Sequence, residues 1–158
     1  MSDSHGNYRR VEEVVRQNRG EADAFIHLGD GLQEVELLLE KYPDLPLFCV
    51  RGNCDWGHPM PGAKKTEARS FGDTKILYTH GDLYSVKFGL EPLVKAGREV
   101  GAQVVLYGHT HVARADYLDG MYVLNPGSLS QSRGGPCGYL ALDLTDQGIV
   151  PVLRTLKD

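Results

Sequence analysis

In the first half of the chain, short apolar runs alternate with longer amphipathic stretches. Residues 7–18 (NYRRVEEVVRQN) set Tyr8, Val11, Val14 and Val15 on one stripe, the spacing of a helix with one buried face. AFIHL (24–28) is a short apolar run that stops at Gly29-Asp30, so it predicts a buried strand entering a loop. GLQEVELLLEKY (31–42) predicts a second helix, ended by Pro43, and PLFCVR (46–51) a second buried strand, stopping at Gly52-Asn53. WGHPMPGAKKT (56–66) has the proline and glycine punctuation of a loop.

The pattern then changes. ARSFGDTKILYTH (68–80) predicts two strands turning at Gly72-Asp73, and SVKFGLEPLVKAGREVG (85–101) a helix bent at Pro92 and stopped by Gly101. QVVLYG (103–108) predicts a buried strand. ARADYLDGMYVLNPG (113–127) carries Asp119-Gly120 between alternating segments, a strong hairpin signal. GYLALDL (138–144) and IVPVLRTL (149–156) predict a closing pair of strands. A β-α-β-α-β first half followed by hairpins and one helix predicts an α/β sandwich of two packed sheets.

Composition adds boundaries. With 158 residues and neither repeat nor long linker, the chain is expected to be a single domain, 1–158. Apolar residues at 41% and charged residues at 24% exclude a disordered chain. No run is long enough for a membrane span, and MSDSHGN lacks the features of a signal peptide. Seventeen Lys and Arg against 21 Asp and Glu give a net charge of −4, which argues against general nucleic-acid or anionic-membrane binding. Three irregularly spaced cysteines (Cys49, Cys54, Cys137) argue for a reducing, cytoplasmic setting.

Residues able to bind metal sit at predicted strand ends. Asp3 and His5 form D-x-H. Asp30 closes LGD, Asn53 closes RGN, His80 closes ILYTH, and His109 and His111 form GHTH. Residues i and i+2 of an extended chain project to one side, so D-x-H and H-x-H each aim two ligands at one point. Neighbouring glycines (Gly6, Gly29, Gly52, Gly81, Gly108) are expected to let the backbone turn sharply there. Carboxylate, carboxamide and imidazole without thiolate suit Mn²⁺, Fe or Zn²⁺. Seven candidates exceed one tetrahedral ion and suffice for two if one carboxylate bridges. Two divalent ions less the charges of Asp3 and Asp30 and a hydroxide leave about +1, a site that attracts phosphoryl groups. His27, inside a strand, and His58, in a loop, are left outside the ligand set. Asp23, Asp44 and Asp73 are read as turn residues, Cys49 as core, and Lys64-Lys65 as a solvated loop. Trp56 and Tyr84 are read as ordinary packing or loop structure.

Asp3-x-His5, Gly29-Asp30, Gly52-Asn53-Cys54-Asp55, Thr79-His80-Gly81 and Gly108-His109-Thr110-His111 together resemble the calcineurin-like metallophosphoesterase superfamily. RGNCD and LNPGS (124–128) resemble its small YfcE-type phosphodiesterase branch. The resemblance spans nearly the whole chain. It implies an αββα sandwich of two mixed sheets flanked by helices, with two divalent metals at strand C-terminal ends: manganese first, with nickel, zinc, iron or magnesium as alternatives. It assigns Asp3, His5, Asp30 and His111 to one ion, and Asn53, His80 and His109 to a second, with Asp30 bridging. A bridging hydroxide would attack phosphorus in line, with Asn53 and His109 near the phosphate. A small phosphate ester is the expected substrate, and a homodimer or higher homo-oligomer is an open expectation.

There are two departures from the family pattern. Cys54 stands where most of the superfamily carries a histidine that assists the leaving group. Only Met1 and Ser2 precede Asp3, so the family's first strand is expected to be truncated or to lie upstream. Other readings are a non-catalytic scaffold of the same fold, as in the retromer subunit, and a superfamily enzyme acting on nucleotides or phosphomonoesters. The full ligand set argues against the scaffold.

Overall fold

The computed structural model describes residues 1–157. Helix α1 spans Tyr8–Asn18 and begins where the Asn7 side chain accepts the Arg10 N–H, satisfying one of the first-turn donors. It is followed by β1 (Phe25–His27), α2 (Leu32–Lys41) and β2 (Leu47–Cys49). Next come β3 (Thr66–Phe71), β4 (Thr74–Thr79), a 3-10 turn at Asp82–Tyr84 and α3 (Glu91–Glu99). The chain continues through β5 (Val104–Leu106), β6 (Ala113–Leu118), β7 (Met121–Pro126), β8 (Gly138–Thr145) and β9 (Gly148–Thr155).

Five strands form one mixed sheet in the order β3-β4-β5-β7-β6, parallel at β4/β5 and β5/β7 and antiparallel at both edges. Its register aligns Ile76, Val104 and Tyr122 on one face, and Leu77, Val105 and Val123 on the other. The opposing layer is less regular. The parallel pair β1/β2 and the hairpin β8/β9 are joined through backbone that is not regular strand. Met1–Asp3 runs beside β1, with Leu28 N–H donating to Met1 O at 3.0 Å and Asp3 N–H to Gly29 O at 3.1 Å. Leu129 N–H reaches Ser2 O at 3.1 Å, and Gly138 N–H reaches Ser128 O at 3.2 Å.

Three apolar clusters account for the layers. Ile76, Tyr78, Val104, Leu106 and Leu124 meet Leu28 and Val50 between the sheets. Leu77, Leu93, Val105, Met121 and Val123 pack α3 on the outer face of the five-stranded sheet. Val11, Val14, Val15 and Leu38 pack α1 and α2 on Phe25, Met1 and Leu129 of the opposing layer. The strict alternation along β4, β5 and β7 feeds the first two clusters at once, and that alternation makes the architecture an αββα sandwich.

The expected long helix over 85–101 is shorter than its pattern. It starts at Glu91, with Pro92 in its first turn, so the proline begins the helix instead of bending it. A first-turn proline has no N–H to lose from the helix ladder, which makes this the favourable place for it. No helix among the described residues is long and apolar enough to cross a membrane.

Candidate metal centre

The strand ends of both layers converge. Asp3 and His5 leave the segment beside β1, Asp30 follows β1, Asn53 follows β2, His80 follows β4, and His109 and His111 follow β5. One network joins all seven. His111 Nε2 stands 3.1 Å from Asp3 Oδ1 and 3.2 Å from His5 Nε2. His5 Nε2 is 3.9 Å from Asp30 Oδ2, which is 3.4 Å from His80 Nε2. His80 Nε2 is in turn 3.0 Å from Asn53 Oδ1 and 3.1 Å from His109 Nδ1. Three sets of donor atoms lie within 4.8 Å of one another: Asp3, His5 and His111; His5, Asp30 and Cys54; Asp3, Asp30 and His80.

The hydrogen bonds behind these rings orient them as ligands. His80 Nδ1 lies 2.8 Å from Leu28 O, and His111 Nδ1 lies 2.8 Å from Gln131 O. A carbonyl only accepts, so each Nδ1 carries the proton and each neutral ring presents its Nε2 lone pair to the site. Those lone pairs face carboxylate oxygens, the Asn53 carboxamide oxygen and other imidazole nitrogens. Asp3 Oδ1 is buried without a hydrogen-bond partner. Lone pairs so opposed require cations among them, and the oxygen and nitrogen donor set suits divalent metals.

Without metal, protons take that role. Burial alone would raise the Asp30 carboxyl, but hydrogen bonding and charge from His80 with the Cys54 N–H outweigh it and hold the group far below the usual carboxylate range. Asp3 follows the same balance: burial opposes, and His111, His80 and Ser2 prevail, lowering it. His80 is raised because Asp30 and Asp3 overcome its burial, and His111 is raised first by its bond to Asp3. His109 is lowered by burial and by the nearby charges of His80 and Lys87. The Cys54 thiol is pushed up to about 11 by desolvation and the Asp30 carboxylate. Metal binding at such a site displaces protons.

The backbone is strained at these residues. Seven non-glycine residues among those described have positive φ, and five are predicted ligands: Asp3 (54°), His5 (42°), Asp30 (55°), His109 (65°) and His111 (60°). Such conformations cost free energy and persist where surrounding structure enforces them. Asp55 is one enforcer. Its Oδ1 accepts the N–H groups of Gly31 (2.9 Å) and Leu32 (3.0 Å), and its Oδ2 those of Asp30 (2.8 Å) and Gly52 (2.8 Å). One buried carboxylate thus ties the Asp30 loop to the Asn53 loop. The LNPGS segment is another. Asn125 Nδ2 donates to Gly108 O at 2.9 Å, and Ser128 Oγ donates to Asp3 O at 2.8 Å while accepting the Gln131 N–H. His27 is a third: Gly29 N–H donates to its Nδ1, so its Nε2–H donates to Ser4 Oγ at 3.0 Å. Burial drives His27 down to about 4, which keeps it neutral.

Two glycines serve a different purpose from the one expected. Gly52 and Gly108 do not adopt positive φ; they permit close approach. A Cβ on Gly52 would stand 2.0 Å from Asp30 Oδ1, and one on Gly108 2.1 Å from Ser2 Oγ. Gly52→Ala is therefore expected to weaken metal binding by about tenfold or more, the scale of lost ligand support, as measured by isothermal titration with Mn²⁺. Unchanged affinity would rule out that constraint.

A cleft of about 700 Å³ opens beside the donors, lined in part by His5, Asp30, Cys54 and Trp56. Trp56, read from sequence as packing or loop, is 92% exposed there. Lys65 is not simply solvated: its Nζ reaches Asp82 Oδ2 at 2.9 Å and Gly52 O at 3.3 Å. Asp55 entered the sequence analysis only as the last residue of the RGNCD motif, with no role of its own. Its only local signal was an acidic residue two positions after Asn53, and its partners at Asp30 and Gly31 are 25 and 24 residues away.

The fold and this convergence define an α/β protein with divalent-metal donor groups at its strand ends. The chain belongs to the calcineurin-like phosphoesterase superfamily, whose domain model matches residues 1–147. It is 36% identical over 134 residues to the probable metallophosphoesterase YsnB of Bacillus subtilis, covering 84% of this chain and 75% of that protein. It is 31% identical over 118 residues to the phosphodiesterase YfcE of Escherichia coli, covering 66% of this chain and 60% of that one. Vacuolar protein sorting-associated protein 29 of Schizosaccharomyces pombe is 37% identical over 116 residues, 73% of this chain and 57% of its own. The crystal structure of a conserved protein from Streptococcus pneumoniae, described as a predicted phosphoesterase, superposes with a TM-score of 0.80 at 37% identity, covering 92% of this chain and 81% of that chain. The family implies divalent metals, and the donor groups here accord with that.

Proposed function

We propose that this chain is a metal-dependent phosphodiesterase acting on small phosphate esters. The observation that carries the reading is the network of seven donors with opposed lone pairs, in which the buried Asp3 Oδ1 faces His111 Nε2 at 3.1 Å. Asp3, His5, Asp30 and His111 would hold one ion, and Asp30, Asn53, His80 and His109 the other. Bound there, the ions would neutralise developing phosphoryl charge and acidify the attacking water. Asn53 and His109, at the exposed side of His80, orient the phosphate, and Cys54 lies against the departing oxygen. Retention of all seven donors favours catalysis over the docking-scaffold reading. The relatives with phosphodiesterase and metallophosphoesterase names support the reaction class.

The test is hydrolysis of bis(4-nitrophenyl) phosphate and 4-nitrophenyl phosphate by chelator-stripped protein, with Mn²⁺, Ni²⁺ or Zn²⁺ restored in turn. Metal-dependent turnover, faster on the diester, is expected; turnover indifferent to chelator would overturn the proposal. Cys54 gives a second check. A thiol is a weaker proton donor than the imidazolium that most of the superfamily carries at this position, so alkoxide leaving groups should react slowly. Cys54→His is expected to raise the alkyl-to-aryl rate ratio by about tenfold or more, within the range of general acid catalysis. An unchanged ratio would remove Cys54 from the leaving-group side.

A further inference from the structure

Among the described residues, Trp56 is a large apolar side chain left almost wholly in water, and it stands on the wall of the cleft that opens from the donor cluster. Exposed tryptophan loses little by lying against an aromatic ring and gains stacking contact. The cleft also runs past Cys54, whose backbone N–H donates to Asp30 Oδ1 at 2.7 Å, so the tryptophan is reached from the candidate metal pair across Cys54. Gln33, Glu34, Glu36, His58 and Pro59 also line the cleft. Glu36 Oε2 faces His58 Nε2 at 3.3 Å, and neither lysine nor arginine is among the residues that line it. A second phosphate or a carboxylate would meet Glu36 and find no fixed cation. An aromatic ring without negative charge would meet the indole.

We propose that this cleft is the leaving-group subsite, and that Trp56 selects phosphodiesters whose departing alcohol carries an aromatic ring free of negative charge. The proposal rests on the phosphodiesterase reading for its chemistry. Water adds to phosphorus as the bond to the aromatic oxygen breaks, and the proton that water gives up passes to solvent. That oxygen leaves with the bonding electron pair, taking a proton from solvent where its acidity requires one. Trp56 touches the ring and not the reacting atoms, so its effect falls on recognition.

Trp56 is the sole tryptophan, so its fluorescence reports on the subsite directly. In both metal-free and Mn²⁺-loaded protein, 4-nitrobenzyl alcohol is expected to quench that emission saturably, whereas 4-nitrobenzoate quenches it only linearly. Linear quenching by both would overturn the proposal. In turnover, methyl 4-nitrophenyl phosphate is compared with a methyl alkyl phosphate of equal leaving-group acidity. Trp56→Ala is expected to raise the aryl-to-alkyl KM ratio by about tenfold, the scale of one lost stacking contact, and Trp56→Phe to restore most of it. A loss shared equally by the two esters would also overturn it. Failure of every ester with every metal would instead remove the phosphodiesterase reading, while the quenching experiment would still decide whether the cleft binds aromatic rings.

Discussion

Asp55→Ala is expected to lower the melting temperature by roughly 10 °C, given about 2–4 °C per kcal/mol for a chain of this size. The same substitution is expected to weaken Mn²⁺ binding by about tenfold or more. The cause is local and countable. Two oxygens of Asp55 accept four backbone N–H groups, from Asp30, Gly31, Leu32 and Gly52, and the residue is buried. Each buried donor left without a partner costs about 1–3 kcal/mol, with partial relief where water enters, so a loss of roughly 3–5 kcal/mol follows. Asp55→Asn is the sharper variant. One oxygen would become an NH₂ group that must face either Gly31 and Leu32 or Asp30 and Gly52, so neither amide flip satisfies all four donors. It should fall between the wild type and the alanine variant in calorimetry. A melting temperature within a degree or so of wild type for Asp55→Ala would show that the four bonds carry little stability.

Asp30→Ala is expected to reduce diester hydrolysis on the order of 10³-fold, equivalent to several kcal/mol of metal-derived stabilisation. Asp30 Oδ2 faces His5 on one side at 3.9 Å and His80 on the other at 3.4 Å. The variant should therefore bind fewer than two ions per chain, and elemental analysis of the dialysed protein measures this alongside kcat/KM. Near-normal turnover with two retained ions would take away the bridging role of Asp30.

Much of this was legible from the chain because the relevant signals are short-range. β4 and β5 alternate or run apolar within six residues, and each ends on a candidate donor. The turn at Asp119-Gly120 is written in two letters, and β6 and β7 pair about it as expected. The donors were legible for the same reason: each lies within two residues of a strand end or of another donor. The misreadings depended on tertiary approach. Pro92 could be read as a bend because the segment before it has apolar residues at helical spacing, but residues 85–90 are used to leave the His80 loop. Gly52 and Gly108 looked like turn residues; only the neighbouring Asp30 and Ser2 side chains reveal the need for a missing Cβ. Asp55 acts on backbone that is remote in sequence, and Trp56 required knowing which side of its loop faces water.

The placement of the donors on both layers has a mechanical consequence. Asp3, Asp30 and Asn53 belong to the layer containing β1 and β2, whereas His80, His109 and His111 hang from the five-stranded sheet. Ions held in common would act as removable rivets through the sandwich, closing chain loops such as the one between His5 and His111, which are 106 positions apart. Longer loops gain most from closure, though only logarithmically. Metal depletion would thus unfasten the layers from each other before it disturbed either sheet, and the first segments to open to a protease would be those spanning the seam.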